Sequence, residues 1–577
     1  MAHASEASRR RVEAFEGMQV NTCRNAACPQ FGVAPALNTA PKGKALLGYH
    51  FSGGPRERVL VCDSCGHSVF IKSNRAVVEE LRRLTSLAVT VPLELRCKNP
   101  DCQEQPARFQ RFGRTRSGSK RVRCVHCGTT QSISESPTFR QKRPDKNAEV
   151  LRLLVNKVPM RRLLEVADIS VSTLYSKLEH IEKRCLLFAC MFEQKLPEMK
   201  FRHLDVAVDR QDYLINWGAH VNRRSFMMRA VASSDARSGF VFGVDPNFDP
   251  SQSVVEIEAQ ARERGDEARE PIDRLHPQYW LLADYVHTAT CRAAEVQRTR
   301  PAHQRQPQQA HAIDPFAEPN EQTPPARGVQ VRQEYVLFAH FFRLRDLLQG
   351  VEKLVFFMDP DSGLSNAMLS AFGLRTRDGG VLAFHVRSQK NLTVDQRKRV
   401  LAQCASRFSH FRIQHPALND REVALAWLLA SFRNAQSKDD LRAWVLHPLP
   451  DSPEPGKEIS LLTGHGNLDL ARAARAALYA GLKSIDRFFM LVRRRISLLE
   501  RPIHTPASAS RTWHGYAPYN PVVACRLLNI FRVVYNYHLA GKDKQTPAMR
   551  LGLTEKAHSL HDLLGEPSPQ RRLRAKR

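Results

Sequence analysis

Residues 201–217 read FRHLDVAVDRQDYLINW, and residues 351–363 read VEKLVFFMDPDSG. In the first stretch Leu204, Val206 and Val208 alternate with other residues, the period-two pattern of a half-buried strand. In the second a continuous apolar run ending at Met358 predicts a fully buried strand, with a helix after Asp-Ser-Gly. Each apolar run ends on an aspartate, Asp209 and Asp359. A carboxylate there is costly to bury unless a cation partners it. Adjacent strands of one sheet would bring the two together. Oxygen ligands suit Mg2+ or Mn2+, and two such ions stabilise the attacking and leaving oxygens of a phosphodiester. The plain alternative is that each Asp caps the turn that follows it; Asp205 and Asp361 are nearby spares for the two positions, with turn-capping as their expected role.

Around these strands the pattern stays mixed. SFMMRAVASSDARSGFVFGV (225–244) predicts two strands joined at the turn Asp235–Gly239. A Pro-, Gln- and Arg-rich insertion lies near 298–330. Residues 466–499 carry one long helical pattern that breaks at Pro502, and the last residues form a basic tail.

Upstream, eight of the thirteen cysteines fall before residue 130 in two similar blocks. The first is Cys23-x4-Cys28 with Cys62-x2-Cys65; the second is Cys97-x4-Cys102 with Cys124-x2-Cys127. A Gly follows each closing pair, as a turn that needs positive φ requires. Four thiolates on two facing turns make a tetrahedral zinc site, so the repeat predicts two zinc ribbons (18–80 and 92–135) and two structural Zn2+. Cys185, Cys190, Cys291, Cys404 and Cys525 show no such spacing and read as core. His67 and His126 flank completed sets and read as surface or phosphate contacts.

Lys and Arg total 87 against 58 Asp and Glu, a net charge of +29. That excess predicts a polyanionic partner. Between Cys102 and Cys124 runs RFQRFGRTRSGSKRVR, in which Arg114, Arg116, Lys120, Arg121 and Arg123 are candidate phosphate contacts. Residues 145–190 then read as a helix-turn-helix. Leu163, Leu164 and Val166 face inward from one helix, and Leu174, Leu178 and Ile181 from the next. Ser170 caps the second helix, which presents Ser172, Thr173, Tyr175, Ser176 and Lys177 to a major groove. No apolar run approaches a membrane span and the N-terminus lacks a signal-peptide core. The expected setting is a reducing, nucleoid-associated cytoplasm, in which cysteines serve metal rather than disulfides.

Taken in order, RVRCVHCGTT, the helix-turn-helix, VDRQDYLINW, VFFMDPDSG and the C-terminal VVYNYHLAGKDKQTPAMRLGL resemble the DDE transposases of bacterial insertion sequences. The resemblance covers most of the chain. It implies a multidomain α/β protein with an RNase H-like core (200–500) behind the ribbons and the helix-turn-helix, and a C-terminal helical region (501–577). It gives Asp209 and Asp359 the first two acid positions. In SIDRFFMLVRRRISLLERP, Asp486 has Arg493 seven residues on and Arg501 fifteen on, the family's acid-then-arginine spacing, with Asp where Glu is usual. Glu500 is the rival third acid, separated from Asp486 by about 21 Å if the helix is continuous at ~1.5 Å per residue. Arg493, Arg494 and Arg495 would contact DNA phosphates. Trp513, His514, Tyr516 and Tyr519 read as a packed loop or as a stacking platform for a frayed base. The implied activity is Mg2+- or Mn2+-dependent 3′-end hydrolysis and strand transfer on double-stranded DNA, the element's ends and the target, by a homo-oligomer. The alternative is a catalytically inactive DNA-binding regulator with the same ribbons and helices.

Overall fold

The strands that carry the two aspartates lie side by side in a seven-stranded mixed sheet, but only Asp359 directly follows a strand's last residue: the strand holding Asp209 runs on to Asn216, paired with Ser225–Asp235. The sheet's members are β1 (Phe201–Asn216), β2 (Ser225–Asp235), β3 (Val241–Pro246), β4 (Val351–Met358), β5 (Val381–Arg387), β6 (Val445–Leu446) and β7 (Glu458–Leu461). Their spatial order is β3-β2-β1-β4-β5-β7-β6. β1 runs parallel to β4 and β4 parallel to β5, while β2, β3 and β7 pair antiparallel with their neighbours. The computed structural model describes residues 12–37, 46–53, 59–89, 97–102, 108–116, 120–133, 138, 141–216, 225–288, 328–390, 392–438, 440, 442–464, 468–500, 503–504, 512–513 and 519–566. Most of the 298–330 insertion, Cys291, Arg501, His514, Tyr516, the Trp513 side chain and the basic tail lie outside the described residues.

Helices cover both faces of the sheet, which is why β4 is apolar without alternation. Successive strand side chains point to opposite faces. Phe356 meets Phe341 of α1 (Gln333–Leu347) and Phe372 of α2 (Ser362–Arg377), with ring centroids 6.0 and 4.9 Å apart. Phe357 meets Phe384 of β5 at 6.0 Å, and Phe384 meets Phe432 at 6.4 Å. Phe432 belongs to α4 (Asp420–Ser437), which follows α3 (Val394–Ile413).

Two compact units result. The first comprises 1–84, 195–493 and 498–525; the second comprises 85–194, 494–497 and 526–577. The first cysteine block therefore belongs to the unit that holds the sheet, and the second block to the unit that holds helices Met160–Ala167 and Val171–Glu193. No helix among the described residues is long and apolar enough to cross a membrane.

Two expectations are corrected. The single helical pattern over 466–499 is two helices, α5 (Leu470–Ala477) and α6 (Lys483–Arg495), followed by a 3-10 turn at Ser497–Leu499. The break has a non-local cause: Lys457 donates to the Ala480 carbonyl (2.7 Å) and Glu454 accepts from the Leu482 N–H (2.6 Å). In the helix-turn-helix, Val166 is 57% exposed rather than inward, and Leu164 is only half-buried. The buried seam of helix Met160–Ala167 is Leu163 and Ala167. At 3.6 residues per turn, Leu164 and Val166 flank that seam on either side. Leu174, Leu178 and Ile181 are buried as expected, and Ser170 accepts from the Thr173 N–H.

Candidate functional site

Each cysteine block folds back on itself so that its four sulfurs lie within 4.8 Å of one another. In the first, Cys23 and Cys65 are 3.6 Å apart and Cys28 and Cys62 are 3.7 Å apart. In the second, the pairs Cys97–Cys127 and Cys102–Cys124 measure 3.3 and 3.9 Å. Zinc–sulfur bonds of about 2.3 Å in a tetrahedron put the sulfurs roughly 3.8 Å apart, so both sets fit a zinc ion. Gly66 and Gly128 take positive φ (69° and 72°) where the closing turns need it. Cys185, Cys404 and Cys525 are buried and Cys190 is half-buried. His67 is half-buried with an enclosed Nε2, and His126 is exposed.

The acid cluster follows from the β1–β4 register. The last parallel pair is Val208 with Met358, so Asp209 and Asp359 come next on adjacent strands. Past Asp359, Asp361 caps α2 by accepting from the Leu364 N–H (2.9 Å) and is salt-bridged to Arg210. Asp205 is buried and paired with His203 (2.7 Å) and Arg237 (3.2 Å), so its role is an ion pair rather than a turn cap. Asp486 lies in the first turn of α6 and joins Asp209 and Asp359 electrostatically. Burial pushes the Asp209 carboxyl up to about 7, opposed by the Arg210 N–H, and the charges of Asp486 and Asp359 add to the rise. Asp486 keeps solvent contact, but the protein packed around it, then Glu454, raise its carboxyl to about 6; Asp359 adds to this, and Lys390 and Arg493 oppose it.

Among the described residues, only the cysteine sets bring three or more ligand atoms within 4.8 Å of one another. The three carboxylates are thus neighbours without closing on one point. Glu500 is not among the charges acting most strongly on Asp209 or Asp486. The straight-helix distance between Asp486 and Glu500 does not apply, because α6 ends at Arg495.

The expected DNA contacts divide. In the second block, strands Phe109–Arg114, Lys120–Cys124 and Thr130–Ile133 form a sheet. Val122 and Cys124 point inward, which puts Arg121 and Arg123 on the other face. Both guanidiniums lie over the exposed Phe112 ring, 5.4 and 5.8 Å from its centroid. Arg114, Arg116 and Lys120 are exposed at the strand ends. On helix Val171–Glu193, Ser172 and Ser176 are exposed and Thr173 and Tyr175 half-buried. Lys177 is a correction. It is 1% exposed, and its ammonium donates to the Lys142 and Arg143 carbonyls (2.9 and 2.7 Å) and Asn147 Oδ1 (2.6 Å). It ties the helix to the segment 142–147, two helices earlier in the chain, and is not offered to a groove. Arg493 acts on Asp486 and on buried Tyr213. Arg494 is exposed, whereas Arg495 donates to the Val155 carbonyl and Asn156.

Three residues near the acids carried no sequence signal. Lys390, just past β5, approaches Asp359 at 3.4 Å. His385, opposite Met358 in the β4–β5 register, hydrogen-bonds Ser365 of α2 (2.6 Å). Ser365 donates its one hydroxyl proton to the Asp361 carbonyl, so the imidazole is the donor in that second bond. Glu454 braces the turn before α6, with its second oxygen 3.1 Å from Lys457. Comparison with known proteins matches no family model and no curated relative.

Proposed function

We propose that the chain is a DNA transposase whose sheet unit is an RNase H-like nuclease and strand-transfer core. One observation supports this most strongly. In the order β3-β2-β1-β4-β5, Asp209 within β1 and Asp359 just past β4 come next in register on parallel neighbours, and a third acid lies on the helix after the sheet. Asp209, Asp359 and Asp486 would hold Mg2+ or Mn2+, which when bound supplies charge for the attacking and leaving oxygens of a phosphodiester. The chain's own contribution is position. Register fixes Asp209 beside Asp359. The Arg210–Asp361 pair and the Ser365–His385 bond hold the loop between β4 and α2. Glu454 and Lys457 fix the start of α6 and hence Asp486. Double-stranded DNA is the substrate this reading requires, with the Arg121–Arg123 face and helix Val171–Glu193 as its contacts. Two element ends handled together would call for a homo-oligomer.

The test is strand cleavage on DNA carrying the element's ends with Mg2+ or Mn2+. Asp209→Asn, Asp359→Asn and Asp486→Asn should each lower the rate by orders of magnitude and leave DNA affinity intact, while Glu500→Gln stays near wild type. If wild-type protein binds ends and never cuts, the regulator reading replaces this one.

A further inference from the structure

The acid cluster contains its own cation, and that cation is loosely held. Lys390 Nζ stands 3.4 Å from Asp359 Oδ1. Its charge also acts on Asp209 and on Asp486, so one ammonium serves all three carboxylates. Near it in the chain, the Gln389 N–H donates to the Pro455 carbonyl (3.0 Å) and Thr393 forms the capping box that starts α3. The Lys390 side chain is 68% exposed. A solvated four-carbon stem lets the tip swing while the strand stays in place. Ion pairs this exposed are weak. Three carboxylates, with Glu454 also acting on Asp486, outnumber the two cations Lys390 and Arg493, and that negative surplus favours a divalent ion in place of the loosely held Lys390.

We propose that Lys390 is the resident counter-ion of the acid cluster, displaced when a divalent cation enters and then turned to a backbone phosphate of the bound DNA. The proposal rests on the metal-centre reading above and adds a residue and an order of events to it. Lysine suits both positions, because its ammonium meets carboxylate or phosphate as a point charge. The exchange breaks no covalent bond and moves no proton: the ammonium stays charged throughout.

The experiment is Mn2+ binding to the full-length, zinc-loaded protein without DNA, read from the electron paramagnetic resonance of free Mn2+. Lys390→Gln should bind Mn2+ about two- to fivefold more tightly than wild type, the span an exposed ion pair gives. Lys390→Arg should match wild type, and Asp359→Asn should lose the site. A second measurement is DNA affinity with and without Ca2+. Wild type should gain affinity on adding the ion, and Lys390→Gln should lose most of that gain. Equal Mn2+ affinity in wild type and Lys390→Gln, with Asp359→Asn deficient, would overturn the Lys390 assignment alone. Equal Mn2+ binding in wild type and Asp359→Asn would overturn the metal centre and the Lys390 assignment together.

Discussion

The two cysteine blocks have the same ligand chemistry and opposite surroundings. The first packs against the rest of the sheet unit. Its Arg24 is buried over the Phe338 ring (5.2 Å), and Gly32 faces Gly373 of α2 so closely that a Cβ on either would lie within 3.6 Å of the other's backbone. The helix that follows it, Asn74–Val89, sends Arg75 to the Leu275 carbonyl and Arg83 to Glu80 and the Phe248 carbonyl. Among its described residues the second block has a core of little more than its cysteines, Phe109 and Val122, and it presents Arg121 and Arg123 over Phe112. A duplicated motif thus fixes the metal site and leaves the role to what packs against it. The first block packs one side against the sheet unit and leaves Cys65 exposed; the second has a basic face to offer.

The largest effect that would break this contrast is loss of one zinc site. Structural zinc contributes on the order of 10 kcal/mol to folding of small modules, comparable with the whole stability of a domain. Cys62→Ser should unfold the sheet unit, seen by calorimetry and limited proteolysis. Cys124→Ser should leave that unit's melting unchanged and abolish tight DNA binding. Elemental analysis should give two zinc ions in wild type and one in Cys124→Ser. Equal melting losses in the two variants would end the contrast.

A smaller effect probes what the first block packs against. Arg343 donates both to the Leu84 carbonyl at its C-terminal helix and to Asp245 of β3 (2.8 Å), and His340 bonds the same carboxylate (2.6 Å). Burial alone would raise the Asp245 carboxyl, but Arg343 and then His340 hold it down to about 2. A depressed carboxyl contributes stability that is present above about pH 4 and lost as pH falls through 2. Asp245→Asn should cost about 3–5 kcal/mol at neutral pH, as breaking a buried pair does. The gap between variant and wild type should narrow by about 2 kcal/mol in urea melts near pH 2, the part linked to that carboxyl's shift. A gap unchanged at pH 2 would show that the charge is not what matters.

The smallest effect compares arginines. Arg121→Ala and Arg123→Ala should each weaken DNA binding across sequences and lower the salt slope by about one, with melting unchanged. Arg24→Ala should do the reverse, lowering the melting temperature of the sheet unit and leaving the salt slope alone. Salt titrations and thermal melts on the three variants give the answer; a slope change in Arg24→Ala would put the first block on DNA as well.

What the sequence made legible was local. Cysteine spacing located both four-sulfur clusters, and β1, β2 and β4 followed from alternation and apolar runs. The seven-residue step from Asp486 to Arg493 is two helical turns, which put both on one face of α6. What it hid depends on partners far along the chain. Lys177 looks like a groove contact until the carbonyls of Lys142 and Arg143 enclose it. The Ala480–Leu482 break is set by Glu454 and Lys457. Lys390 and His385 reach the acids only because β5 lies beside β4. The packing of the first block against the sheet unit has no counterpart in its cysteine pattern at all.

The claim that Asp209, Asp359 and Asp486 share a metal site can be tested on the protein itself. Fe2+ placed in a Mg2+ site generates hydroxyl radicals that cut nearby backbone when ascorbate and peroxide are added. The cuts should fall beside Asp209, Asp359 and Asp486 and disappear with excess Mg2+. Cuts beside Glu500 but not Asp486, or no localised cuts, would contradict it.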